Sequence, residues 1–342
     1  MQEYNDYDIE YPNLVLEIME YFAFETGQNI NSKSVVGFCE LHTVKSDVGR
    51  EFKYQPTIVN KICQTLCRKN RMVCIKADGR SGLYNNYLAG INVKQVGEQQ
   101  VSRLRVHYNS LVYGFEYIYN LYKETVIPLV WEKENGDYSV GTGFKLFGGI
   151  VTAKHCITDP KHLSINGYTM DELRDSKIYC SENPYLDIAF IDIGKKDGIE
   201  VFIDEGKILQ DVLTMGYPKI PAFTDFLTAE KATISGKAEA RLTPTKGAVA
   251  AISENYLSRA KLMLITAKIR GGNSGGPVIN EDGSIVGIAC QTPYYAEEIG
   301  DYDDLGYGIV VPIQHLIEIV EKRPQTINVR PDFFKGCDAQ SE

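Results

Sequence analysis

Apolar residues recur at helical spacing over residues 12–26 (P-N-L-V-L-E-I-M-E-Y-F-A-F-E-T), and Gly27 ends the run. This pattern predicts a first amphipathic helix. A polar stretch follows, with a short helix expected near 32–44. Gln55-Pro56-Thr57 opens a stronger helix, because the N–H that proline lacks is unpaired in a first helical turn anyway. Its apolar positions 58, 62, 63, 66 and 67 share one face. The period then shortens. R-M-V-C-I-K-A, the turn A-D-G-R-S-G and L-Y-N-N-Y-L-A read as strand, turn and strand. Residues 99–124, rich in Tyr and Phe, predict a long helix or a helix pair. Its plain reading is a core-facing connector, and its sharper reading is a self-association surface. Beyond it the apolar runs are short, as in I-V-T-A-K-H-C-I (150–157) and the alternating Y-L-D-I-A-F-I-D-I (185–193).

The chemistry is densest at 266–278, T-A-K-I-R-G-G-N-S-G-G-P-V. One serine, Ser274, stands among glycines 271, 272, 275 and 276. A serine nucleophile needs this composition. The acyl group must approach the backbone closely, and neighbouring N–H groups must point at the developing oxyanion. Glycine removes the obstructing Cβ and permits positive φ. Gly272 and Ser274 are the expected oxyanion donors. Alone, the string fits a tight turn in any β protein. It gains meaning from His155, which ends an apolar strand, and Asp187, which lies in an alternating one. The order His155, Asp187, Ser274 is one of the known orders of a catalytic triad. Asp192 is a rival acid, but it lies five residues on and faces the other side of the strand.

Five segments together resemble trypsin-like serine proteases of the HtrA/Deg-like and glutamyl-endopeptidase branch: G-T-G-F (141–144), T-A-K-H-C (152–156), L-D-I-A-F (186–190), G-N-S-G-G-P-V (272–278) and G-Y-G-I-V-V-P (306–312). Gly216-Tyr217-Pro218 resembles a turn these proteases carry between the acid and the nucleophile. The resemblance runs from about Thr125 to about Val320. It implies two perpendicular six-stranded β-barrels with the triad in the cleft between them, and it favours Asp187 through the L-D-I-A pattern. By position relative to Ser274, Lys268 and Ile269 are expected to border the pocket for the residue before the scissile bond. Ile288, Ala289 and Cys290, in the run Gly287–Thr292, are expected to form its wall and pair with the substrate backbone. No Asp stands where trypsins place one, so a basic specificity is not expected. A Lys268 pointing into the pocket would suit an acidic residue, and one pointing to solvent a small or apolar residue.

Three departures from the pattern matter. Asn273 replaces the Asp that pairs with a new N-terminus in secreted trypsins, and an amide cannot form that ion pair. Cys156 follows the catalytic His where trypsins use a disulfide, yet the preceding strand F-K-L-F-G-G-I holds no cysteine. The chain ends about twenty residues after the barrel region, so no PDZ domain is expected.

The first hundred residues follow the helix, helix, helix, two-stranded wing order of a winged helix-turn-helix domain. Charge bears on its role. The chain carries a net charge of −9, yet residues 50–105 hold eleven basic and three acidic residues. Lys61, Arg68, Lys69, Arg71 and Arg80 are candidate contacts to nucleic acid or to a regulatory protein. A solvated basic face is the plain alternative.

The overall acidity disfavours anionic membranes as partners. No segment reaches the ~18 apolar residues of a membrane span. The acidic start M-Q-E-Y-N-D-Y-D-I-E-Y is the reverse of a secretion signal, so a cytoplasmic location and reduced thiols are expected for the eight cysteines. Cys39, Cys63, Cys67 and Cys74 lack metal-ligand spacing and read as small buried hydrophobes. Neither metal nor cofactor is expected.

The expected architecture is multidomain. A winged-helix-like regulatory domain (1–98) and a helical connector (99–124) precede an all-β trypsin-like double barrel (125–323) and a tail (324–342). The expected function is gated, intracellular serine endopeptidase activity on a protein substrate. Stress response or phage defence is a setting suggested by architecture alone, and homo-oligomerisation is compatible with it. The alternatives are a DNA-binding regulator whose protease-like domain is a sensor, or a catalytically dead adaptor.

Overall fold

A computed structural model of the chain describes residues 11–24, 33–45, 51–79, 81–91, 97–132, 138–158, 163–195, 201–221, 231–235, 238–254, 259–290 and 307–327. Two compact units, Met1–Ile118 and Tyr119–Glu342, make up the chain. The division falls inside the stretch read from sequence as a connector.

In the first unit, helix α1 (Leu14–Tyr21) buries Leu14, Val15, Ile18 and Met19. Helix α2 (Val35–Leu41) starts at Ser34, whose hydroxyl accepts from Gly37 N at 3.1 Å and satisfies one orphan donor of the first turn. A short antiparallel pair, β1 (Thr43–Lys45) and β2 (Glu51–Lys53), follows. The sequence pattern did not foresee it, because three-residue strands are too short to show a period. Helix α3 (Pro56–Arg68) carries Pro56 in its first turn, as expected, and buries Val59, Ile62, Cys63 and Leu66. Strands β3 (Met72–Lys76) and β4 (Asn86–Ala89) form an antiparallel pair. Ala23 bridges Ala89 in parallel, which ties the residues after α1 to this pair. Tyr87 OH and Asn85 Nδ2 both donate to Asn60 Oδ1, at 2.7 and 3.0 Å, and fix the pair to α3. Helix α4 (Glu98–Tyr113) packs on α1 and α3. Gly114, at φ 72°, divides the stretch, so that of the two expected forms it takes the helix pair, with α5 (Phe115–Tyr122) as the second helix.

The second unit is built from two β layers, each with its own core. Strands β5 (Val126–Glu132), β6 (Tyr138–Leu146), β7 (Gly149–Thr152), β8 (Leu163–Ile165), β9 (Lys177–Cys180) and β10 (Ala189–Asp192) join one antiparallel sheet. Its seventh strand is β20 (Gln325–Ile327), and the order is β20-β9-β10-β7-β6-β5-β8. Residues 325–327, read from sequence as tail, therefore complete this sheet. Its core includes Leu129, Ile150, Ala153, Cys156, Leu163, Leu173, Ile178 and Ile191.

The second layer is a closed antiparallel barrel, β11-β15-β16-β19-β18-β17. Its strands are β11 (Asp211–Gly216), β15 (Thr243–Glu254), β16 (Lys261–Ile265), β17 (Pro277–Asn280), β18 (Ile285–Cys290) and β19 (Gly308–Pro312). Val212, Val249, Met263, Ile265, Val278, Val286 and Val310 fill it. A smaller sheet, with order β12-β14-β13, uses β12 (Lys219–Pro221), β13 (Lys231–Ser235) and β14 (Ala238–Arg241). Helix α8 (Ile313–Lys322) leaves the barrel and leads to β20. Two short helices, α6 (His155–Thr158) and α7 (Met170–Arg174), lie within the first layer's connections. Of the two six-stranded barrels expected, one closes and the other layer stays an open sheet of seven strands.

Candidate active site

His155 begins α6, directly after β7 has delivered the chain to the sheet end. Asp187 lies in the connection between β9 and β10. Both carboxylate oxygens of Asp187 engage His155. Oδ2 accepts from the ring Nδ1 at 2.6 Å, and Oδ1 accepts from the main-chain N–H at 2.9 Å. This double grip fixes the ring plane and keeps the proton on Nδ1, leaving Nε2 as the basic atom. Burial opposes the charged form of His155. The hydrogen bond to Asp187, with its carboxylate charge, outweighs it and raises its pKa above the ordinary imidazole range. Asp192, the rival acid, instead meets Arg323 at 3.2 Å.

Ser274 is 2% exposed and sits in a loop that glycine makes possible. Gly272 adopts φ 101° and Gly275 φ 91°. A Cβ on Gly275 would fall 2.0 Å from Thr142 O, and one on Gly272 2.3 Å from Tyr217 O. The loop is tied at both ends. Gly275 N donates to Ala289 O (2.7 Å), Ala289 N donates to Gly276 O (2.8 Å), and Asn273 N donates to Arg270 O (2.9 Å). Among the described residues, the N–H groups of Gly272 and Ser274 donate to no protein acceptor. Those two are the expected oxyanion donors. The Ser274 hydroxyl makes no hydrogen bond among the described residues, and His155 Nε2 lies 3.5 Å from Cys156 Sγ. Hydrogen bonds of this kind are often long in unliganded sites and tighten on substrate.

The expected pocket residues fall in two groups. Lys268 is exposed, and Ile269 is half-buried against the barrel core. Ile288, Ala289 and Cys290 are fully buried in β18. Their main chain is engaged by β17, β19 and the Ser274 loop. Gln291 and Thr292, which shared that expectation, lie outside the described residues.

In the first unit, Lys61, Arg68 and Lys69 are exposed on or at the end of α3, and Arg71 is exposed just before β3. Arg80 lies outside the described residues. Cys39 and Cys63 are buried, Cys67 is half-buried and Cys74 is exposed. Among the described residues no group of three or more His, Cys, Asp or Glu side chains is placed to hold a metal ion.

Sequence reasoning missed Thr142. Its N–H donates to Ser274 O (2.9 Å), its hydroxyl donates to Gly272 O (2.6 Å), and that hydroxyl accepts from Tyr217 N (2.9 Å). One side chain thus joins β6, the 216–218 turn and the nucleophile loop. The available signal was the G-T-G-F motif, whose residues the resemblance marked without a role. Asn273, 3% exposed, has no hydrogen-bond partner for its side-chain oxygen among the described residues.

Residues 141–288 match the family model described as trypsin-like peptidase domain. Protease Do-like 2, chloroplastic, of Arabidopsis thaliana is 25% identical over 236 residues, which is 66% of this chain. The match spans only 35% of that relative's own length. Among solved structures, the active form of the Rv3671c protease from M. tuberculosis aligns with TM-score 0.44 and 17% identity, covering 62% of this chain and 86% of that one. The serine endoprotease from Yersinia pestis aligns with TM-score 0.41 and 21% identity, covering 60% and 64%. The family match, with the two-layer β topology, supports a trypsin-like peptidase for the β-rich part of the chain.

Proposed function

We propose that the chain is an intracellular serine endopeptidase acting on protein substrates, gated by an N-terminal winged-helix domain. The observation that carries the catalytic part is the convergence of a doubly held His155–Asp187 pair with a glycine-framed Ser274 whose loop leaves two N–H groups unengaged. Ser274 Oγ attacks the scissile carbonyl carbon and its proton passes to His155 Nε2. Gly272 N and Ser274 N donate to the oxyanion. The C–N bond then breaks, and the leaving amine takes the proton from Nε2. Water, deprotonated by the same nitrogen, hydrolyses the acyl ester. Asp187 holds the tautomer throughout. Exposed Lys268 and the apolar run Ile288–Cys290 favour a small or apolar residue before the scissile bond.

The gating part is supported by element order and charge. Helices α1, α2 and α3 precede the β3–β4 pair, with Ala23 bridged to β4. The β1–β2 pair is an addition to the expected winged-helix order. Exposed Lys61, Arg68, Lys69 and Arg71 suit nucleic acid or an acidic regulatory protein.

Hydrolysis of casein and of peptides varied at one residue, with and without duplex DNA, tests the proposal. Cleavage lost in Ser274→Ala is expected, with a rate that responds to DNA. Cleavage that survives in Ser274→Ala would remove the catalytic proposal. The exposed basic residues of the first unit are the observation that favours the second reading, a DNA-binding sensor. Specific DNA retention without hydrolysis would select it.

A further inference from the structure

We infer that Cys156 is a positioning residue of the site, whose thiol holds the Nε2 side of the neutral His155 ring before substrate binds and yields it to Ser274 when substrate arrives. This rests on the serine-peptidase reading. Cys156 is fully buried, and its sulfur touches both halves of the catalytic machinery. Sγ lies 3.5 Å from His155 Nε2 and 3.8 Å from the main-chain oxygen of Ser274.

A thiol has one proton and here has two acceptors, so it can serve only one at a time. With Asp187 fixing the proton on Nδ1, the Nε2 lone pair of the neutral ring accepts from the thiol. That lone pair is the one Ser274 needs for its own proton. Once the ring is cationic, Nε2–H becomes a donor, the sulfur can accept from it, and the thiol proton turns to Ser274 O. No covalent bond to sulfur forms or breaks. The thiol exchanges hydrogen-bond partners as the ring changes charge.

The surroundings keep this slot open. A Cβ on Gly141 would stand 2.5 Å from Cys156 Sγ and 3.1 Å from Trp131 Cζ3, so Gly141 leaves the sulfur the room it occupies. A second thiol acts on the acid's side. Cys290 Sγ donates to Asp187 O at 3.1 Å and braces the main chain that carries the carboxylate. Each member of the dyad is thus touched by one buried thiol.

The test compares full-length wild type, Cys156→Ala and Cys156→Ser at a pH above the midpoint of the kcat/KM profile, where the His155 ring is neutral. Two readouts are taken: the ¹⁵N resonance of the His155 ring and the rate of labelling by a fluorophosphonate. In Cys156→Ala the Nε2 resonance is expected to move toward that of an unbonded ring nitrogen. Labelling should be about two- to tenfold faster, the range one net hydrogen bond spans. Cys156→Ser keeps a donor and should stay close to wild type. An unchanged Nε2 resonance in Cys156→Ala, or equal shifts in the alanine and serine proteins, would overturn the inference. A shifted resonance with no labelling in any of the three would support the thiol contact and overturn the peptidase reading instead.

Discussion

Asp187 and Asp192 stand five residues apart and serve different ends. Asp187 grips His155 through both oxygens, while Asp192 pairs with Arg323, whose guanidinium lies 5.5 Å over the Tyr179 ring. Asp187→Asn is expected to lower kcat/KM by about 10⁴ by favouring the wrong imidazole tautomer. Asp192→Asn should leave it unchanged and cost at most about 1 kcal/mol in a urea titration, because the Arg323 side of the pair is 55% exposed. Steady-state kinetics and denaturation on the two variants separate the roles.

The raised pKa of His155 sets a pH dependence. The base must be neutral, so kcat/KM should rise with pH through a midpoint above the ordinary value of about 6.5. The same shift gives the fold stability that is fully present below about pH 6.5 and lost as pH climbs through the folded-state pKa. A kcat/KM profile with its midpoint at or below about 6.5 would contradict this. His155, Asp187 and Ser274 were legible because each stands in a short motif whose residue types follow from the chemistry. Thr142 was not, since its partners Gly272, Ser274 and Tyr217 are remote in sequence and only the barrel brings them together.

At the scale of elements, the nucleophile loop depends on what Thr142 and Gly275 allow. Thr142→Val would leave Gly272 O and Tyr217 N without their partner. A stability loss of about 1–3 kcal/mol is expected, with a larger loss of labelling at Ser274. Gly275→Ala forces a Cβ to 2.0 Å from Thr142 O at a positive φ, and should abolish labelling. Retained labelling in a folded Gly275→Ala protein would show that the loop is not held as described.

Strand β20 was illegible because three residues carry no period. It pairs with β9, whose far end leads into the connection holding Asp187. Truncation after Lys322 uncovers that edge. It should lower the melting temperature and reduce kcat with little change in KM. The helices were easier to read. Pro56 and the apolar face of α3 announced that helix, whereas over 99–124 the pattern left a long helix and a helix pair both open, and Gly114 decides for the pair.

Over the whole molecule, charge is segregated. The chain carries −9 in total, yet residues 50–105 hold eleven basic residues against three acidic ones. If the first unit binds nucleic acid, affinity should fall steeply with salt, and Lys69→Glu should flatten the slope of log K against log salt by about one. Fluorescence anisotropy with duplex DNA at several salt concentrations reads this. Salt-independent or absent binding would direct the gate to a protein partner. Periodicity revealed the helices and the β3–β4 pair of this unit but missed β1 and β2, and it did not reveal the partner, since basic residues serve several kinds of ligand equally.

The central claim is that Ser274 is a nucleophile activated by the His155–Asp187 pair and the Gly272–Ser274 amides. Labelling of the full-length protein by a fluorophosphonate, beside Ser274→Ala, tests it most directly. Labelling that disappears in the variant is the expected result. No labelling of the wild type, or labelling that persists in Ser274→Ala, would contradict the account.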